Sequence, residues 1–202
     1  MQLTALATAL PVAAYLMGSI STAIIVCKLM RLPDPRSLGS GNPGATNVLR
    51  TGGKVAAAIT LLGDMLKGLL PVVIASHIEA SPLIIGLTAL AAVLGHLFPL
   101  FFQFKGGKGV ATAFGAIFGI GWLTGLLTVA TWLALSLVYR ISSLAAIGSL
   151  CMLPLYIWIT SKSVTLTVCG AAIACLVIMR HHANIVRLVK RQEPKIGSRK
   201  KD

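Results

Sequence analysis

Eleven consecutive residues, Ser40-Gly-Asn-Pro-Gly-Ala-Thr-Asn-Val-Leu-Arg50, bring two hydroxyls, two amides and an arginine together around two glycines. That combination suits an anion. Ser40, Asn42, Thr46 and Asn47 supply side-chain donors, and Arg50 can grip a phosphate through two parallel hydrogen bonds. Gly39, Gly41 and Gly44 let backbone N–H groups approach the same charge closely. Their GxGxxG spacing is not a dinucleotide fingerprint, because no strand precedes it and no βαβ unit follows. The competing use of the segment is a polar turn capping the helix that starts near Lys54. Asn42-Pro43-Gly44 is turn chemistry under either reading.

A second segment, Lys105-Gly-Gly-Lys-Gly109, leads into the apolar run Val110–Phe118. It is not a Walker A loop, since Gly and not Ser or Thr follows Lys108. A glycine turn with a lysine at a helix N-terminus is nevertheless a ready phosphate site. Its alternative is a pair of interfacial lysines touching lipid headgroups. The third segment is His181-His-Ala-Asn-Ile-Val-Arg187, which on a helix puts His181 and Asn184 on one face and His182 on another. His181 is an anion donor, a general base or an interfacial residue, and His182 reads as interfacial.

Asp64 and Lys67, at i and i+3 inside an apolar stretch, face the same way; buried ionisable residues of this kind are functional candidates. Their role is either an ion pair that orients the site or direct chemistry. His96 either reaches the site or serves helix packing. Asp34 and Asp64 are the two carboxylates expected near these segments, too few for a two-metal phosphotransfer centre. His77, His96 and the 181–182 pair are too dispersed to bind a metal. Cys27, Cys151, Cys169 and Cys175 lie in apolar runs without zinc-like spacing and read as small hydrophobes.

The elements that must position these residues are membrane helices. The 202-residue chain is 56% hydrophobic and 11% charged, with mean hydropathy +0.87. Its length suggests a single domain over residues 1–202, ending in a basic tail from 180 to 202. The formal charge of +13 does not indicate nucleic acid, because the basic residues sit between and after apolar runs, as beside an anionic leaflet. Candidate spans are 4–28, 55–78, 83–103, 142–160 and 163–180. The first lacks the basic start and short apolar core of a signal peptide and reads as a retained helix. Gly109–Tyr139, as one helix, would be about 46 Å long against a hydrocarbon core of about 30 Å. Gly115, Gly119, Gly121 and Gly125 would weaken its middle, so it reads as two crossings, 109–120 and 122–139, or as a hairpin that does not cross.

With two crossings and the N-terminus outside, every Lys and Arg except Lys67, within a helix, and Lys162 falls on the cytoplasmic side. That obeys the positive-inside rule. The expected architecture is therefore an all-α, polytopic membrane protein of seven transmembrane helices with a cytoplasmic C-terminus. All three polar segments then share the cytoplasmic face. The tail beyond Arg187, with Lys190, Arg191, Lys195, Arg199, Lys200 and Lys201, reads as a solvated or lipid-associated extension.

Laid end to end, SGNPGATNVLR (40–50), GDMLKG (63–68), GHLFPLF (95–101), KGGKGVAT (105–112), RHHANIVRL (180–188) and EPKIG (193–197) resemble the acyl-phosphate:glycerol-3-phosphate acyltransferases of bacterial membranes. The resemblance runs in order over nearly the whole chain. It implies a seven-helix inner-membrane enzyme that moves a fatty acyl group from acyl phosphate to the 1-hydroxyl of glycerol 3-phosphate, releasing lysophosphatidate and phosphate. It carries catalytic roles onto Ser40, Arg50, Lys108 and His181. Substrate-binding roles fall to Gly41, Asn42, Gly44, Thr46, Asn47, Lys105, Gly106, Gly107 and Asn184, with Asp64, Lys67 and His96 in support. It implies no cofactor and no metal, membrane lipid as surroundings, and functional coupling to an enzyme that forms acyl phosphate.

The residues agree with that chemistry, since both substrates carry phosphate and the candidate site is rich in donors. No histidine has an aspartate five positions on, so the His-x4-Asp base of the carrier- or CoA-dependent glycerophosphate acyltransferases is missing. An acyl phosphate is already activated, which leaves positioning and charge stabilisation to the protein. The proton acceptor is either the acyl phosphate's own phosphate or His181. The competing class is an organophosphate transporter. It is disfavoured because no inverted repeat of short broken helices is visible and the polar groups gather on one face.

Overall fold

The computed structural model describes residues 2–197, and all regular structure among them is helical. The helices are α1 (Gln2–Gly18), α2 (Thr22–Leu29), α3 (Ala45–Thr51), α4 (Gly53–His77), α5 (Pro82–Leu97), α6 (Val110–Ile120), α7 (Trp122–Tyr139), α8 (Ser142–Cys151), α9 (Leu153–Ser161), α10 (Val164–Met179) and α11 (His182–Val189). Three stretches are long and apolar enough to cross a bilayer alone: Gly53–His77, Pro82–Phe102 and Trp122–Tyr139. Three bent pairs, α1 with α2, α8 with α9 and α10 with α11, bring that number to as many as six.

Two of the expected spans are broken where the sequence reading had one helix. The stretch 4–28 stops at Gly18 and resumes at Thr22, bent by 40°. Ser19 Oγ donates to the Tyr15 carbonyl at 2.8 Å, and Lys67 Nζ donates to the Ile20 carbonyl at 2.8 Å, so the freed backbone is satisfied from α4. The stretch 142–160 breaks at Met152, where Pro154 opens α9 and cannot donate to the preceding turn. The expected interruption of 109–139 falls at Gly121, between α6 and α7.

At 11 residues α6 is about 16 Å long, roughly half a hydrocarbon core. It lies beside α4 and runs in the same direction. Gly68 of α4 packs on Thr112, while Gly115 packs on Met65 and Leu69 and Gly119 on Val72. Near the far end Ser76 Oγ donates to the Gly119 carbonyl at 3.1 Å. The N-terminus of α6 therefore starts abreast of the middle of α4, and the 105–109 loop dips to that depth to reach it. The glycines make this possible, because a side chain at Gly68 or Gly115 would collide with the neighbouring backbone.

The larger buried cluster joins Val72, Val93, Leu97, Ile117, Leu150, Ile157, Ile173 and Val177 from α4, α5, α6, α8, α9 and α10. A smaller one, Ala23, Val26, Cys27, Val48, Ala56 and Ala57, clamps α3 between α2 and α4. That second cluster fixes the short helix that carries Arg50. Outward-facing Val55, Leu62, Leu137, Val138 and Val168 leave an apolar exterior suited to lipid. The four cysteines are free, with Cys27 and Cys169 buried and Cys151 and Cys175 exposed.

Candidate active site

The first polar segment folds as a loop organised by one side chain. Asn47 is buried, and its Oδ1 accepts from the Ser40 N–H at 2.9 Å. Its Nδ2 donates to the Pro35 and Leu38 carbonyls at 2.8 and 3.0 Å. Gly39, at φ +62°, lies so close beneath Asn47 Oδ1 that no side chain fits there. Asn47 thus spends its polar atoms on shaping the loop, and the remaining donors face outward. Among the described residues, the side chains of Ser40, Asn42, Thr46 and Arg50 have no hydrogen-bond or ion-pair partner, so they are available to a ligand.

The second segment is held from two sides. Gly107 N–H donates to the His96 carbonyl at 3.2 Å, and the Gly107 Cα lies against the His96 ring. Gly106 packs on the backbone of His96 and Leu97 and on Pro99, so neither position has room for a Cβ. From the other side Arg180 donates through Nε to the Gly107 carbonyl at 3.4 Å and through Nη2 to the Gly106 carbonyl at 3.2 Å. Gly109, at φ +88°, turns the chain into α6 and leaves Lys108 at its head.

Lys108 sits within electrostatic reach of Arg50, Arg180, Arg187 and Glu193, so charges from loops distant in sequence act on its ammonium. Burial pushes its pKa down to about 8; the three arginines act in the same sense and Glu193 opposes them. His181 is buried, and its Nδ1 lies 2.7 Å from the Val177 carbonyl. A carbonyl only accepts, so Nδ1 carries the proton and Nε2 keeps its lone pair. Burial pulls this imidazole down to about 4, and Lys108 adds to that shift. It is neutral at physiological pH and presents an acceptor, not a charge. Asn184 is buried too, with Oδ1 unpartnered and Nδ2 donating to Glu193 Oε1 at 2.6 Å.

Glu193 corrects the expectation that Asp34 and Asp64 are the carboxylates near the site. Its Oε1 also accepts from Ser143 Oγ at 2.7 Å, and its Oε2 pairs with Arg187 Nε at 2.6 Å. Burial works against the charged form, but these three donors outweigh it and hold the carboxyl below its usual range. Glu193 therefore ties the strap after α11 to α8. The strap is further pinned where Ile196 N–H donates to the Arg140 carbonyl at 2.6 Å. The segment through residue 197 is docked and not a free extension, whereas Arg199, Lys200 and Lys201 lie outside the described residues.

Between the first two segments lies a cavity of about 340 Å³ lined by Arg36, Gly41, Pro43, Phe104, Lys105, Gly106 and Arg180. Arg36 is already paired with Asp34 at 2.7 Å, which leaves Lys105 and Arg180 as its uncompensated cations. Asp64, Lys67 and His96 do not open onto that cavity. Lys67 Nζ contacts Asp64 Oδ1 at 2.8 Å, and His96 Nδ1 lies 3.6 Å from the same oxygen, all three buried under the 105–109 loop. They form a floor. Ser143 lies outside every motif segment, while Arg180, Arg187 and Glu193 lie inside the 180–188 and 193–197 segments without a role assigned to them from sequence. Arg180 and Glu193 had a signal, one adjacent to His181 and the other opening the 193–197 segment, whereas nothing local in the sequence marks Ser143 or pairs it with Glu193.

The described residues contain no group of three or more His, Cys, Asp or Glu placed to hold a metal. The arrangement is one for anions, with cations and amides converging on a partly buried space beside a neutral imidazole acceptor.

Comparison with known proteins places this geometry. The sequence model described as glycerol-3-phosphate acyltransferase matches residues 8–191. The chain is 54% identical over 197 residues to the glycerol-3-phosphate acyltransferase of Thioalkalivibrio sulfidiphilus, covering 98% of this chain and 97% of that one. It is 57% identical over 195 residues to that of Serratia proteamaculans, covering 96% and 91%. Its fold is similar to the crystal structure of PlsY, an integral membrane glycerol 3-phosphate acyltransferase, in its glycerol 3-phosphate form. The TM-score is 0.89 at 40% identity, with 95% of this chain and 96% of that chain covered. The lysophosphatidic acid form of PlsY matches with a TM-score of 0.87 at 39% identity, covering 95% of each chain.

Proposed function

Since the chain belongs to the glycerol-3-phosphate acyltransferase family, we propose that its acyl donor is an acyl phosphate and its acceptor the 1-hydroxyl of glycerol 3-phosphate. The hydroxyl oxygen attacks the acyl carbonyl carbon, and the bond from that carbon to the phosphate oxygen breaks. Lysophosphatidate and inorganic phosphate result. The hydroxyl proton passes to the departing phosphate or to His181 Nε2.

The observation that carries this reading is the tie of Arg180 to the Gly106 and Gly107 carbonyls, which sets Lys108 in the field of Arg50, Arg180 and Arg187 beside a neutral His181. Two phosphate-bearing substrates need cations and amide donors, and a mixed anhydride needs no strong base to activate it. Ser40, Arg50 and Lys108 stabilise the charge on the phosphates as the acyl group moves. Gly41, Asn42, Gly44, Thr46, Lys105, Gly106, Gly107 and Asn184 shape and line the space around them, and Asn47 holds the loop in place. Asp64, Lys67 and His96 support the loop from below. Negative charge is met by side chains, and the Asp34 and Glu193 carboxylates are engaged by Arg36 and Arg187. The reaction on this reading is metal-independent and should proceed unchanged in excess EDTA.

The same reading extends to the surroundings. We place residues 1–202 as one domain in a bacterial inner membrane, with seven crossings, the N-terminus outside and the site on the cytoplasmic face. The three long spans, the bent pairs α1–α2 and α8–α9, the short α6 and α10 supply the seven, with α11 on the cytoplasmic face. An enzyme that forms acyl phosphate must work alongside it, since this donor hydrolyses readily in water.

The test uses purified protein in detergent or lipid with labelled glycerol 3-phosphate. Palmitoyl phosphate, palmitoyl-CoA and palmitoyl carrier protein are supplied separately, and lysophosphatidate and phosphate are followed. Product with palmitoyl phosphate alone is expected. Product with palmitoyl-CoA or the carrier protein alone refutes the donor, and binding of glycerol 3-phosphate without any product brings transport forward.

A further inference from the structure

Arg180 sits between α10 and α11, one residue before His181, and its guanidinium is fixed at three points. It donates to the carbonyls of Gly106 and Gly107, 74 and 73 residues earlier in the chain, and lies 5.5 Å from the centre of the Phe98 ring. Ring and carbonyls together hold the planar group in one orientation.

The consequence lies in the peptides it grips. All peptide bonds among the described residues are trans, so each carbonyl and the N–H of the next residue point to opposite edges of one plane. With the Gly106 carbonyl turned to Arg180, the Gly107 N–H turns away and meets the His96 carbonyl at 3.2 Å. With the Gly107 carbonyl turned to Arg180, the Lys108 N–H points to the opposite side, two residues before α6, whose own first-turn amides have no partner within the helix. Two adjacent glycines would otherwise let these planes flip at little cost. A flipped 107–108 plane would aim a carbonyl oxygen at any anion held by Lys108.

We propose that Arg180 is a positioning residue for the acyl-transfer site: it locks the Gly106–Gly107 and Gly107–Lys108 peptides so that the Lys108 N–H and ammonium face the substrate phosphate together. The role rests on the functional reading above for the identity of the substrate, but not for the identity of the donor. It also explains why the residue is joined directly to His181. A single backbone step links the clamp on one segment to the imidazole acceptor of the other.

The test compares Arg180→Ala, Arg180→Lys and Lys108→Ala with the unaltered protein in detergent. Melting, equilibrium binding of labelled glycerol 3-phosphate and steady-state kinetics with palmitoyl phosphate are measured, each with and without low millimolar guanidinium. Arg180→Ala is expected to melt within a few degrees of the unaltered protein while kcat/KM falls roughly 100-fold, as misplacement of a catalytic group does. Its binding of glycerol 3-phosphate weakens about tenfold, the size of a lost charge-assisted contact. Arg180→Lys recovers little, because an ammonium cannot hold two carbonyls in one plane. Guanidinium restores part of the loss in Arg180→Ala and nothing in Lys108→Ala. Unchanged binding and kinetics in Arg180→Ala overturn the proposal. A loss that tracks melting and resists guanidinium overturns it as well. Should the unaltered protein yield no lysophosphatidate from palmitoyl phosphate while Arg180→Ala still weakens glycerol 3-phosphate binding, the donor reading fails and the clamp stands.

Discussion

Lys108 and His181 show how burial assigns roles that residue type leaves open. A lysine brought down to about 8 is a cation only below that pH, so kcat/KM should fall as pH rises through 8. Phosphate bound beside it favours the charged form, so the same limb in kcat lies at higher pH. In Lys108→Arg the guanidinium stays charged, and the limb should disappear up to about pH 10 even though the altered geometry slows turnover. A pH profile of the two proteins decides this, and an unmoved limb assigns it to another group. Lys108→Ala and Arg50→Ala should each reduce turnover by about 10²–10³-fold, the scale of a lost charge-stabilising donor. His181 at about 4 stays neutral throughout, and His181→Gln should cost only about tenfold, below the 10²–10⁴ of a general base. A loss matching that of Lys108→Ala, with phosphate binding intact, would make Nε2 the base. Sequence gave these residues away by type and spacing. It was silent on direction: Asn47 looked like one donor among four, and only the bare Cα of Gly39 shows why it turns inward.

For the elements, apolar length and glycine content were readable and local breaks were not. The interruption at Gly121 followed from a stretch too long for one crossing. The break after Gly18 depends on Lys67, 47 residues away from the Ile20 carbonyl that it caps, and no window along the chain contains both. Lys67 thus serves Asp64 and the α1–α2 break together, which makes the buried pair a structural hub. Asp64→Asn leaves its ammonium uncompensated and should destabilise the protein by about 3–5 kcal/mol. Adding Lys67→Met should return part of that, since removing both charges spares the desolvation cost. Thermal unfolding in detergent separates the outcomes, and a double variant no more stable than Asp64→Asn alone would contradict the pairing. The partners of Glu193 were invisible for the same reason as the break, because its three donors come from α8 and α11 and meet only after both helices pack.

At the scale of the molecule, lysine and arginine positions alone propose an orientation in the membrane. Replacing the native cysteines and placing single cysteines at Arg140, Lys162 or Lys190 checks it. An impermeant thiol reagent applied outside intact cells should label position 162 and spare 140 and 190. Labelling at 190 from outside would reverse the topology. The concentration of cations around the cavity should also make glycerol 3-phosphate binding weaken as salt rises, since exposed attraction is screened over about 8 Å at physiological ionic strength.

The half-length of α6 bears on a competing reaction. An acyl phosphate left in bulk water is spent by hydrolysis, and every molecule so lost wastes a fatty acid already activated. By starting beside the middle of α4, α6 draws the Lys105–Gly109 turn inward, and on the proposed acyl-phosphate chemistry this would let apolar helices screen the reacting carbon from solvent. Lengthening α6 by a turn toward the loop would lift that seat outward. The ratio of free fatty acid to lysophosphatidate should then rise, so the shortness of one helix becomes a device for choosing an alcohol over water.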